Sequence, residues 1–149
     1  MDVSGNISAI LNQKNREIFS VSPDASVYDA ISMLDEKNVG AVLVMEDDKL
    51  VGMFSERDYT RKVVLRGKRS RETKVAEIMS RDLKVIHPQE GVEASLRLMT
   101  DKRIRHLPVL DGEKVVGVIS IGDLVKWVIS CQSATIAHLE NYIHGGYTG

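Results

Sequence analysis

The sequence predicts an α+β fold built from two tandem repeats, each running strand, helix, strand, strand, helix, and three observations carry the prediction. A shift of 65 positions lays Ile18 to Val64 on Leu83 to Ile129 without a gap, pairing Pro23 with Pro88, Val27 with Val92, Lys37 with Lys102 and Val44 with Val109; such self-similarity decides an architecture before any local pattern does. One phrase is written twice, as Gly52-Met53-Phe54-Ser55-Glu56-Arg57-Asp58 and as Gly117-Val118-Ile119-Ser120-Ile121-Gly122-Asp123. Within each copy the spacing of apolar residues changes from extended to helical and back in the same order.

Each element follows from its residues. A short extended piece ends at proline, Ile18 to Pro23 and Leu83 to Pro88. Apolar residues at Val27, Ala30, Ile31 and Leu34, or at Val92, Leu96 and Met99, recur three and four apart and predict an amphipathic helix. Gly40 to Met45 and Leu50 to Phe54 flank the charged turn Glu46-Asp47-Asp48-Lys49; His106 to Leu110 and Val115 to Ile119 flank Asp111-Gly112-Glu113-Lys114. Two apolar runs joined by a short Asp/Gly turn predict a hairpin in each copy. Ser55 and Ser120 then open a second helix, reaching about Leu65 and Ser130. Related lead-ins, Ile7 to Leu11 and Val75 to Met79, precede the repeats and are expected to pack at their junction. The resulting division is repeat 1 over 7–65, a polar linker over 66–74, repeat 2 over 75–130 and a helical tail over 131–149, with Gly145-Gly146 ending the helix.

Composition excludes several classes. The chain has 149 residues, so each repeat approaches the size at which a domain of about 60 residues is marginal alone, and the two need each other. A net charge of −1 supplies no global field for nucleic acid or anionic membrane. One cysteine, Cys131, makes no internal disulfide and fits a reducing compartment. The N-terminus lacks the features of a secretion or transit signal, and no apolar run approaches a span of about 18 residues, so a cytoplasmic location without membrane contact is expected. The histidines, His87, His106, His138 and His144, are scattered and suggest no metal site.

The candidate chemistry lies in the repeated phrase. Ser-x-x-Asp at a strand-to-helix turn reads as a capping box. The same serine and helix N-terminal N–H groups can also hold a phosphate, and a carboxylate one turn in can accept two hydrogen bonds from a vicinal diol such as a ribose. Charge-assisted hydrogen bonds contribute about 1.5–3 kcal/mol each, a large part of the roughly −8 kcal/mol of a micromolar ligand. Met53 and Phe54, or Val118 and Ile119, would offer an apolar face to a base.

These residues resemble the CBS domain family, whose Gly-h-x-Ser/Thr-x-x-Asp motif (h apolar) recurs in paired repeats; Val75 to Met79 and Arg103-Ile104-Arg105-His106-Leu107-Pro108-Val109 match further family phrases. The likeness spans about residues 7 to 130 and is greatest to stand-alone two-repeat proteins, or Bateman modules, with a Gly-Gly-Tyr tail, here Gly145-Gly146-Tyr147. It implies a pseudo-two-fold pair that binds AMP, ADP, ATP or NAD(H), with S-adenosylmethionine ranked behind these, and no catalytic cofactor. It implies Asp58 and Asp123 as ribose ligands, Ser55 and Ser120 as phosphate or ribose contacts, and backbone at Ser20-Val21 and Val85-Ile86 reading adenine. Arg103, Ile104, Arg105, His106 and Pro108 form the family's basic segment facing the ligand, where Asn38, Val39, Gly40 and Ala41 stand in repeat 1, so the two sites are expected to be unequal. Arg57 is the candidate cation for the first; Arg61 and Lys62 read as a solvated helix face. The resemblance also implies a homodimer formed through helices and an unidentified target protein regulated in trans.

No nucleophile elbow, P-loop or His-Glu-x-x-His is present, and an enzyme is not expected. The basic run Arg66 to Lys74 invites a nucleic-acid reading but has no interleaved aromatic residues, and aromatics make up 5% of the chain. A structural dimerisation module with vestigial sites is the other alternative.

Overall fold

The computed structural model describes residues 4–14 and 17–144, with side chains described as far as Gln132. It has two compact units. Glu17–Val85 forms one; the other joins the N-terminal residues through α1 (Ile7–Gln13) to everything from Ile86 onward.

In the Glu17–Val85 unit, β1 (Ser20–Val21) runs parallel to β2 (Ala41–Glu46), which pairs antiparallel with β3 (Lys49–Ser55), giving the order β1-β2-β3. The β2–β3 turn places Asp47 and Asp48 at φ 51 and 63, the doubly left-handed geometry that matches strand twist. Helix α2 (Val27–Lys37) starts where the Ser26 hydroxyl accepts from Asp29 N and stops where Asn38 turns left-handed at φ 53. It buries Val27, Ala30 and Leu34 beside Val42, Val44, Phe54 and Val63. After Ser55 come α3 (Glu56–Asp58) and a wider π-helical segment, Tyr59–Val64. Helix α4 (Val75–Ile78) closes the unit, with Val75 N bonded to Ala25 O and Ala76 N to Pro23 O, both at 2.9 Å.

The other unit repeats this plan with α5 (Val92–Lys102), β4 (His106–Asp111), β5 (Lys114–Ser120) and α6 (Ile121–His144). Both hairpins carry an irregularity at the same place, Val44/Met45 and Val109/Leu110. Ser95, buried where α2 has Ala30, satisfies its hydroxyl on Gly91 O at 2.9 Å. Helix α1 docks as α4 does: Ile7 N bonds Glu90 O and Ser8 N bonds Pro88 O, at 2.9 and 2.8 Å. Each lead-in therefore packs with the repeat it does not precede. The indole N–H of Trp127 on α6 ties the residues before α1 by donating to Ser4 O at 2.7 Å.

One expectation changes. The extended piece Leu83 to Pro88 shrinks to one bridge, Ile86 to Val109. In β2, Leu43 N donates to Phe19 O at 3.1 Å, but Pro108 occupies the matching position of β4 and has no N–H to give, so the parallel ladder stops. The last helix continues, as the helical tail implies, to His144. The terminator Gly145-Gly146, Tyr147 of the tail and the side chains of His138 and His144 lie outside the described residues.

Candidate functional site

In both units the repeated phrase ends a strand and caps a helix. Ser55 N donates to Asp58 Oδ2 at 3.0 Å, and Asp58 N donates back to Ser55 Oγ at 3.1 Å. Ser120 N donates to Asp123 Oδ2 at 2.8 Å, and Asp123 N to Ser120 Oγ at 3.1 Å. These reciprocal capping boxes fix each carboxylate at the strand-to-helix turn. The strand partner of Ser55 is Ala41, and that of Ser120 is His106. Gly40 O and Arg105 O then accept from Glu56 N and Ile121 N, at 3.0 and 2.8 Å, so the predicted segments do lie beside the signature.

The glycine of the phrase has a packing reason. At Gly52 an added Cβ would lie 2.6 Å from Met79 Sδ and 2.9 Å from Ser80 O; at Gly117 it would lie 2.6 Å from Leu11 Cδ2. Leu11 and Met79 are matching residues of the two lead-ins, so each lead-in rests on a signature glycine.

Two lysines complete the carboxylate sites, and neither was assigned to them from sequence. Lys14 Nζ donates to Asp123 Oδ2 at 2.7 Å and to Val118 O at 2.9 Å. Lys62 Nζ lies 3.1 Å from Asp58 Oδ1 and donates to Ile78 O at 3.1 Å. Ser80 Oγ adds a contact to Asp58 Oδ1 at 3.5 Å. By sequence Lys62 reads as part of a solvated helix face, although its i,i+4 spacing from Asp58 is a readable signal. Nothing in the sequence marks Lys14, 109 residues from its partner.

Electrostatics differ between the units. Burial pushes the Asp123 carboxyl up, but the Lys14 and Ser120 hydrogen bonds and the Lys14 charge together hold it below the usual carboxylate range. Burial lowers the pKa of His106; Asp123 opposes this, while Lys14 and Arg105 add to it.

Other sequence candidates divide. Arg57, Arg103 and Arg105 are exposed, and Ile104 and Val118 half-buried. Arg103 holds φ 54 as the C-cap of α5, a left-handed geometry that disfavours a side chain with Cβ. Ser20 and Val21 form the edge strand of their sheet. Phe54 and Ile119 are corrected: both are 0% exposed in their cores and present no face to a base. Ile86 is corrected as a donor: its N–H is spent on Pro108 O, and its C=O already accepts from Leu110 N. Val85 is half-buried, Pro108 is buried within β4, and the backbone of Met53 is bonded both ways to Ser80.

Among known proteins, the chain is 41% identical over 129 residues to the mitochondrial CBS domain-containing protein CBSX3 of Arabidopsis thaliana, covering 83% of this chain and 63% of that one. A putative signal-transduction protein with CBS domains from Burkholderia ambifaria superposes with a TM-score of 0.83 at 46% identity, covering 85% of this chain and 95% of that one. The CBS domain pair of protein MJ0100, solved with 5′-methylthioadenosine and S-adenosyl-L-methionine, has a TM-score of 0.75 over 85% of this chain and 97% of its own, and at 22% identity shares the fold. Residues 7–65 and 75–130 each match the CBS domain, and the chain belongs to the CBS domain family.

Proposed function

We propose that this protein is a regulatory module that binds an adenosine nucleotide, AMP, ADP, ATP or NAD(H), and reports its level to a partner protein in trans. One observation carries the reading: a helix N-terminus at a strand end, built twice, holds a half-buried carboxylate with serine and a lysine ammonium beside it. The carboxylate suits the 2′,3′-diol of a ribose, and the cations suit phosphate. The MJ0100 pair, with its adenosyl ligands, supports the ligand class. A coupling of about 1–3 kcal/mol between ligand and target is enough for regulation.

Calorimetric titration of AMP, ADP, ATP, NADH and S-adenosylmethionine tests it. Wild type is expected to bind at least one nucleotide at micromolar concentration, and Asp123→Ala to weaken it tenfold or more while remaining folded by thermal melt. Binding that survives in both Asp58→Ala and Asp123→Ala would remove the ribose assignment.

A dimerisation role has its own support. Val64 and Leu65 are 52% and 74% exposed at the end of the π-helical segment, and Val125 and Ile129 are 45% and 56% exposed on α6. Val64 and Ile129 are matching positions of the repeats. Large apolar side chains exposed at matching positions give each unit a partner surface of its own, and a second copy of this chain is the proposed occupant.

A further inference from the structure

Resting on the nucleotide reading above, we infer that Lys14 is the charge-selecting residue of the Asp123 site, which makes that site specific for phosphate-bearing adenosine compounds over neutral or cationic ones. The hydrogen-bond inventory around the pair leads there. An ammonium has three donors. Among the described residues Lys14 uses two, on Asp123 Oδ2 and Val118 O, so the third remains for an incoming oxyanion. The acceptors on Asp123 are arranged to match: its bonds from Ser120 N and Lys14 all fall on Oδ2, and among the described residues Oδ1 takes none.

A ribose hydroxyl can therefore reach Oδ1 without breaking the ion pair. A phosphate arriving with the same ligand meets an ammonium whose orientation is already fixed. A sulfonium centre, which has no acceptor to offer, gains nothing from that donor. Arg105 adds a further cation on the segment that ends opposite Ser120.

The first repeat has the same parts in a different arrangement. Lys62 comes from the helix after the signature rather than from a lead-in. Asp58 takes two bonds from Ser55 on Oδ2 and has Lys62 and Ser80 on Oδ1, so both oxygens are engaged. That site accepts a diol only by displacing a protein partner. The selectivity therefore belongs to the Asp123 site.

The test is calorimetric titration of AMP, adenosine and S-adenosylmethionine against wild type, Lys14→Met and Lys14→Arg. In wild type AMP is expected to bind at least tenfold tighter than adenosine, with S-adenosylmethionine weaker still. Lys14→Met should cut the AMP-to-adenosine preference tenfold or more and tighten S-adenosylmethionine relative to adenosine; Lys14→Arg should restore the preference. Equal affinities for AMP and adenosine in wild type overturn the inference without any variant, as does an AMP-to-adenosine ratio that Lys14→Met leaves unchanged. If AMP binds and Asp123→Ala abolishes it while that ratio stays put, the nucleotide reading stands and the role of Lys14 falls. If no adenosine compound binds wild type, both fall.

Discussion

His106 shows how one residue ties stability to pH. Its pKa is depressed by burial, so the folded chain holds fewer protons than the unfolded chain just below the ordinary value of about 6.5. Its contribution is present above that value and is lost as pH falls toward the lower folded pKa. We expect the melting temperature to drop between pH 7.5 and 5, and His106→Ala, which copies Ala41 of the other repeat, to flatten that slope. An unchanged slope would mean that another group sets it. Asp123, also depressed, has its own window: its stabilising effect is lost only below the ordinary carboxylate range, near 3.8, well clear of the histidine. At this scale Ser55, Asp58, Ser120 and Asp123 were legible because capping is a local, fixed-spacing interaction. Lys14 was not, because its contact depends on the path of the chain.

Among the elements, the lead-ins explain the most conspicuous residue of the signature. Gly52 faces the carbonyl of Ser80 as well as Met79, whereas Gly117 faces a movable methyl of Leu11. Gly52→Ala is therefore expected to destabilise by about 1–3 kcal/mol, the usual range for overpacking. Gly117→Ala should cost less, since Leu11 can turn and the lost glycine freedom offsets about 0.4–1 kcal/mol. Urea melts that rank the two in reverse would show that the backbone carbonyl is not the obstacle. Helix and hairpin positions were readable from apolar periodicity. The shortened first strand of repeat 2 was not, because the effect of Pro108 falls on a neighbouring strand rather than on its own.

For the molecule as a whole, the repeats visible in the sequence are not the units that close a core. The cluster around Phe54 includes Val75, Ile78 and Met79, all beyond residue 65. The cluster around Ile119 includes Ile7, Ile10 and Leu11, whose burial contributes roughly 1.5–3 kcal/mol each. A fragment of residues 17–85 is therefore expected to melt cooperatively by circular dichroism, and one of residues 7–65 to stay unfolded; the opposite result would return the boundary to the sequence repeat. The 65-residue shift disclosed the duplication but not this exchange, because a repeat boundary in sequence carries no record of which half a helix packs against.

The exchange also sets an order of events at the ribosome. The Glu17–Val85 unit is complete once its own residues have emerged, but α1 is synthesised long before β5 and α6, the surfaces it covers. With 109 residues between Lys14 and Asp123, α1 waits roughly 5–20 s at ordinary elongation rates. During that interval Ile7, Ile10 and Leu11 are exposed. A helix made early is thus among the late ones to dock, and the Asp123 site acquires its lysine only when that docking is done.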